Sequence, residues 1–217
     1  MKNLLFLLLS ICVLASCQSS ENPQSEVKEE KKEIQLATIL PKRELTAGFL
    51  AIDGVYQSEL IAPYDILQHS IFHTEPGIKT FIVSPTLSAI KTFEGVEIMP
   101  HYSFENCPEI DILIVPSAEH NMDTDLENEA LISFVKERGE KAQFVMSLCD
   151  GAFILAKAGL LEGVKCTTFP SDIPKFKQTF PKLDVQEQVS FVHDGKAITS
   201  AGGAKSYDPA LYLTELI

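Results

Sequence analysis

Residues 45–52 form an almost unbroken apolar run stopped by Asp53-Gly54, the pattern of a short strand buried on both faces. Leu60, Ile61, Tyr64, Leu67 and Ile71 then recur at helical spacing. Proline is tolerated only in the first turn of a helix, so Pro63 predicts a helix starting near Ile61, with Glu59 just ahead of it. Residues 78–83 and 110–115 read as further strands, the second stopped by Pro116, and 89–100 as a small ribbon turning at Glu94-Gly95. Leu126, Ala130, Leu131, Phe134 and Val135 mark an amphipathic helix over 126–138 that ends at Gly139. A fourth strand, 143–148, leads at once into a helix over 151–158. Residues 190–193 and 197–200 frame the turn chemistry of His193-Asp194-Gly195, and 208–217 close the chain as a helix. Apolar strands alternating with helices predict βαβ units and a mainly parallel sheet covered on both faces.

The first residues follow another pattern. Lys2 precedes an apolar run, 4–14, interrupted only by Ser10 and Cys12. That is well short of the ~20 apolar residues a membrane-spanning helix needs, so the run reads as the core of a signal peptide. It closes on Leu14-Ala15-Ser16-Cys17, which resembles the bacterial lipobox. The resemblance implies a lipoprotein leader over 1–16 and acylation of Cys17; an ordinary secretory leader is the alternative. Residues 17–44, with the charged stretch 26–33, hold too little apolar surface until their last few positions to order themselves and read as a polar tether. The remaining span, 45–217, is the size of one domain. It is expected outside the cytoplasm, in the bacterial cell envelope, held to a membrane by its lipid alone.

Composition narrows the partners. A formal charge of −12 argues against nucleic acid and against attraction to anionic lipid. Of five cysteines, Cys12 leaves with the leader and Cys17 takes the lipid, which leaves Cys107, Cys149 and Cys166. Three is an odd number, so at least one thiol stays free or pairs between chains. There is no CxxC and no zinc-ligand spacing.

The strongest chemical signal is Phe144-Val145-Met146-Ser147-Leu148-Cys149-Asp150-Gly151. A cysteine between a buried strand and a helix sits at the C-terminal edge of the sheet, where open α/β sheets bind ligands. Its sulfur faces the free N–H groups of a helix start, which favour thiolate over thiol. A small buried cysteine that merely closes the strand is the competing reading.

The run from Cys149 to Gly163, then Cys166-Thr167-Thr168-Phe169-Pro170, His193-Asp194-Gly195-Lys196 and Thr199-Ser200-Ala201-Gly202-Gly203, resembles the ThiJ/PfpI superfamily of class I glutamine-amidotransferase-like domains. The resemblance implies a flavodoxin-like three-layer α/β/α sandwich with Cys149 on a nucleophile elbow. It also implies a homodimer and a small-molecule substrate or ligand, with no metal or organic cofactor. In Glu59-Leu60-Ile61-Ala62-Pro63-Tyr64-Asp65 it places a carboxyl, Glu59, beside the nucleophile. Three positions depart from the family pattern. Pro116-Ser117-Ala118 stands for a Pro-Gly-Gly turn, Phe169 stands where members with a Cys-His pair carry histidine, and Asp150 follows the nucleophile.

The expectation is therefore an enzyme in which Cys149 attacks an electrophilic carbon while Glu59, and Asp150 with it, moves a proton. Backbone N–H groups of Asp150, Ser117 and Ala118 would stabilise the developing charge. His120, just past the turn, is a lesser candidate for a base, and His193 is expected to be solvated. A carboxyl-plus-cysteine site without histidine is similar to the isonitrile-hydratase branch, and the Glu-Cys pair is similar to the deglycase and glyoxalase branch, whose histidine is absent here. The implied chemistry is hydration or hydrolysis of a small C–N or carbonyl compound, with no cofactor. The alternative is a non-enzymatic redox sensor or ligand-binding domain in which Glu59 stabilises oxidised Cys149. Similar proteins continue the last helix past Leu216, so a short or truncated member is expected.

Overall fold

A computed structural model describes residues 43–217. The leader, Cys17 and the tether up to residue 42 lie outside the described residues. The seven-stranded sheet runs β10-β11-β7-β6-β1-β2-β5, where β1 is Leu45–Leu50, β2 Ile78–Ser84, β5 Tyr102–Ser103, β6 Ile112–Val115, β7 Phe144–Leu148, β10 Phe191–Asp194 and β11 Ala197–Ser200. All pairings are parallel except the β10–β11 hairpin at the edge. The ribbon predicted over 89–100 is the separate hairpin of β3 (Ile90–Lys91) and β4 (Glu97–Ile98). A second small sheet pairs β8 (Lys165–Cys166) with β9 (Asp184–Val185).

Alternation of side chains puts a separate core on each face of the large sheet. Phe49, Ile112, Ile114, Met146 and Ile198 pack with Leu60 and Leu67 of α1 (Gln57–Gln68) and Leu213 of α5 (Tyr207–Leu216). On the other face Leu113, Val115 and Val145 pack with α2 (Glu129–Lys141), α3 (Gly151–Lys157) and α4 (Ile173–Thr179) through Leu131, Phe153 and Phe176. Each such side chain, removed from water, contributes roughly 1.5–3 kcal/mol, and both faces must be covered because the strands are apolar on both. The result is a flavodoxin-like three-layer sandwich.

Two expected boundaries move. Helix α1 begins at Gln57, so Glu59 lies in its first turn and Pro63 inside it. Proline has no N–H to give the Glu59 carbonyl four residues back, but its ring is buried, and tertiary packing overrides the local cost. Gly139 does not end α2. It lies within the helix, where a Cβ would come 2.3 Å from the Leu160 side chain, so close approach rather than termination requires glycine. His193 is half-buried rather than fully solvated: its ring nitrogens lie 2.8 Å from the Tyr212 hydroxyl and 3.0 Å from the Gly195 carbonyl. Helix α4 and the β8–β9 pair lay outside the sequence reading altogether. No helix among the described residues is long and apolar enough to cross a membrane.

Connectivity fixes where a ligand can enter. From β1 the chain goes to β2 on one side and later returns to β6 on the other. The loops after β1 and β6 run side by side at the C-terminal edge, joined by a bridge between Val55 and Ala118, and that edge is where open α/β sheets bind ligands. Tyr56 and Glu59 follow β1, Ser117 follows β6, and Cys149 follows the next strand, β7.

Candidate active site

Cys149 is held in a left-handed conformation, φ +51°, which a side-chain-bearing residue adopts only when its surroundings force it. They do. Its N–H donates to the Ser200 carbonyl at 3.1 Å, and its own carbonyl accepts from the Thr168 hydroxyl at 3.0 Å. Gly202 lies so close that a Cβ there would come within 2.2 Å of the Cys149 Cβ. A Cβ on Gly151 would meet the Val115 carbonyl oxygen at 2.0 Å. Both glycines are thus needed for the elbow to close on the ends of β6 and β11.

Glu59 is buried, at 3 % exposure. Its two carboxylate oxygens accept separate backbone donors, Ser117 N–H at 3.1 Å and Gly203 N–H at 2.6 Å, and so span the ends of β6 and β11. Burial raises its pKa, and the bonds from Gly203, Ser117 and the Cys149 thiol only partly oppose that rise. Carboxyl and sulfur are therefore close enough to act on each other's protonation. Burial also pushes the Cys149 thiol far up, and the charges of Glu59 and then Asp150 push it further. Two negative charges so close in a poorly solvated pocket are disfavoured, and the pair retains a proton between them near neutrality. The expectation that the helix start makes Cys149 a thiolate is corrected here: the donor N–H of Asp150 is present, but burial and two acids outweigh it.

Asp150 is buried too, and accepts from the Thr168 hydroxyl at 3.3 Å. Burial first, then the charge of Asp172, raises its pKa to about 6. It thus exchanges a proton close to neutrality.

The predicted oxyanion donors divide. The N–H of Asp150 bears on the sulfur. Those of the turn are not free: Ser117 N–H goes to Glu59, and Ala118 N–H goes to the Asn121 side chain at 2.9 Å. Both expected backbone roles are corrected, because each donor is already bonded within the protein. His120 stands at the surface with its ring 3.4 Å from Asp123. Phe169, where a histidine was missing, is 39 % exposed.

Sequence reasoning missed Tyr56 and Thr168. Tyr56 stacks on exposed Phe93 with ring centroids 4.8 Å apart. Its phenol pKa is raised by burial and then by Cys149, Asp150, Glu119 and Glu59, so it shares the negative environment of the site. Neither residue carried a spacing signal, although Thr168 lay in a motif that had been singled out.

Residues 46–216 match the model of the DJ-1/PfpI family. Isonitrile hydratase of Pseudomonas putida is 30% identical over 174 residues, 79% of this chain and 71% of the hydratase. A deglycase of Pyrococcus horikoshii is 30% identical over 124 residues, 56% of this chain and 70% of that protein. The crystal structure of a ThiJ/PfpI family protein from Pseudomonas syringae superposes with a TM-score of 0.67 at 26% identity, covering 80% of this chain and 69% of that one.

Proposed function

The chain belongs to the DJ-1/PfpI family, and on that premise we propose that it hydrates or hydrolyses a small molecule at an electrophilic carbon of a C–N or carbonyl group. The observation that carries this reading is the Glu59 carboxyl, clamped by two backbone N–H groups beside a strained, buried Cys149. Such a carboxyl has lost its rotational freedom before substrate arrives, so proton transfer needs no reorganisation.

For a C–N multiple bond the steps balance as follows. The sulfur forms a bond to carbon while its proton passes through Glu59 to the substrate, leaving a neutral adduct. Water then adds to that carbon, Glu59 takes one of its protons, and the C–S bond breaks with that proton returning to sulfur. The net change is addition of one water. Asp150 is a second acid of suitable pKa, and its N–H faces the charge that develops. The charged groups acting most strongly on Cys149, Asp150 and Tyr56 are acids, which favours neutral or cationic substrates over anions.

The test is incubation of the purified protein with an aliphatic isonitrile and with methylglyoxal, following products by NMR. Turnover that vanishes in Cys149→Ser supports the proposal. Reversible oxidation of Cys149 with no turnover on either compound would replace it with the sensor.

Membrane attachment rests on Leu14-Ala15-Ser16-Cys17 alone. Incorporation of an alkyne-tagged fatty acid, lost in Cys17→Ala, is the expected result in bacteria. The exposed Ile61, Tyr207 and Leu211 on α1 and α5 support the expected homodimer, which light scattering measures.

A further inference from the structure

The Ser117 hydroxyl is fully buried and has no hydrogen-bond partner of ordinary geometry. Burying a hydroxyl without a partner costs free energy, and folded proteins keep few such groups. It belongs to the turn after β6, which approaches the sulfur because Glu59 bridges that turn to Gly203. The turn packs directly on the elbow, since a Cβ on Gly151 would meet the Val115 and Pro116 carbonyl oxygens at 2.0 and 3.1 Å, and the Cys149 sulfur is the group whose thiolate a Ser117 donor would favour. Meanwhile both N–H groups of the turn are consumed, Ser117's by Glu59 and Ala118's by Asn121.

We infer that the Ser117 side-chain hydroxyl is the donor this turn offers to the reacting atoms, in place of its backbone N–H groups. In the resting site it waits near the thiol without a good partner. When Cys149 gives up its proton, or when negative charge builds on the substrate atom bound to the attacked carbon, the hydroxyl rotates and donates a hydrogen bond. No covalent bond of Ser117 changes. The poor satisfaction of the resting state and the better satisfaction of the charged state act in the same direction, since only an interaction stronger in the transition state speeds the reaction. Serine suits this because its hydroxyl rotates freely to meet an acceptor, whereas a backbone N–H is fixed by the turn.

A merely structural serine and a catalytic one differ in sign. Ser117→Ala removes one oxygen that has no partner, so the melting temperature should hold or rise by about 2–4 °C. Turnover should fall at least about tenfold, mainly in kcat, as for loss of a transition-state donor. The pH midpoint of Cys149 alkylation, localised by peptide mass, should move upward, and Ser117→Thr, which keeps the hydroxyl, should restore it. Ser147→Ala is the control. Ser147 is also fully buried and partnerless, in β7, so its removal should spare the melting temperature and leave the alkylation midpoint in place. Unchanged alkylation in Ser117→Ala, or a melting temperature that drops together with activity, would overturn the inference. The turnover arm rests on the proposed hydration. The alkylation arm does not, so a protein with no turnover on any substrate still decides the role of Ser117.

Discussion

Two buried carboxylates stand at opposite edges of the same sheet and meet opposite fates. Asp111, 7 % exposed at the N-terminal edge just before β6, receives both guanidinium nitrogens of Arg43 at 2.5 and 2.9 Å, the Thr46 N–H at 2.9 Å and the Gln143 amide at 3.1 Å. Glu59, 3 % exposed at the C-terminal edge, receives two backbone donors and no cation, and faces a thiol. Burial raises the pKa of both, but at Asp111 Arg43 and the neighbouring donors outweigh it and hold the carboxyl below its ordinary range. At Glu59 burial prevails. Glu59 lies deeper than Asp111, but burial acts in the same direction on both, and the partners decide which way each acid goes. With a cation the carboxylate is a permanent charge that ties β1 to β6; without one it is a group that exchanges protons with a nucleophile.

The largest effect separating the edges should fall on turnover. Glu59→Gln keeps the size of the side chain but cannot carry the proton, and should slow turnover by about 10²–10⁴-fold. Asp111→Ala should leave the Cys149 alkylation rate unchanged yet destabilise the fold by about 2–3 kcal/mol in urea titration, because Thr46 N–H and Gln143 lose their acceptor. A loss of thiol reactivity in Asp111→Ala would break the contrast. A smaller effect concerns pH and runs in opposite directions at the two edges. The lowered pKa of Asp111 means its contribution is present above the carboxylate range near ~4 and is lost as pH falls through its folded value. Asp150 has a raised pKa, so its contribution is present below ~4 and is lost as pH rises through about 6. Asp150→Asn, whose amide oxygen still accepts from Thr168, should therefore stabilise by roughly 1–2 kcal/mol at pH 7.5 and by almost nothing at pH 3.5, read as thermal unfolding at both.

The contrast also explains what could be read before the structure. Strands β1, β2, β6 and β7 were legible because parallel strands covered on both faces must be apolar throughout. The start of α1 was not, since Pro63 misleads any rule that weighs the backbone without the burial its ring gains. Helix α4 was too short, with Pro174 in its first turn, to show a period. Cys149 and Glu59 were found through motifs and a turn position. The donors were misjudged for a different reason: whether Ser117 N–H is free depends on where a side chain 58 positions earlier comes to rest. No local pattern encodes that, and the same holds for the sulfur's proton affinity, which sums burial with two acids from separate elements.

The most direct measurement is the pH profile of Cys149 alkylation in the native protein and in Glu59→Gln, with Cys107 and Cys166 distinguished by peptide mass. If thiol and carboxyl share a proton in a buried site, the native midpoint lies above the ~8.5 of a free cysteine, and removal of the Glu59 charge lowers it. A native midpoint below that value, or one indifferent to Glu59, would contradict the pairing on which the mechanism stands.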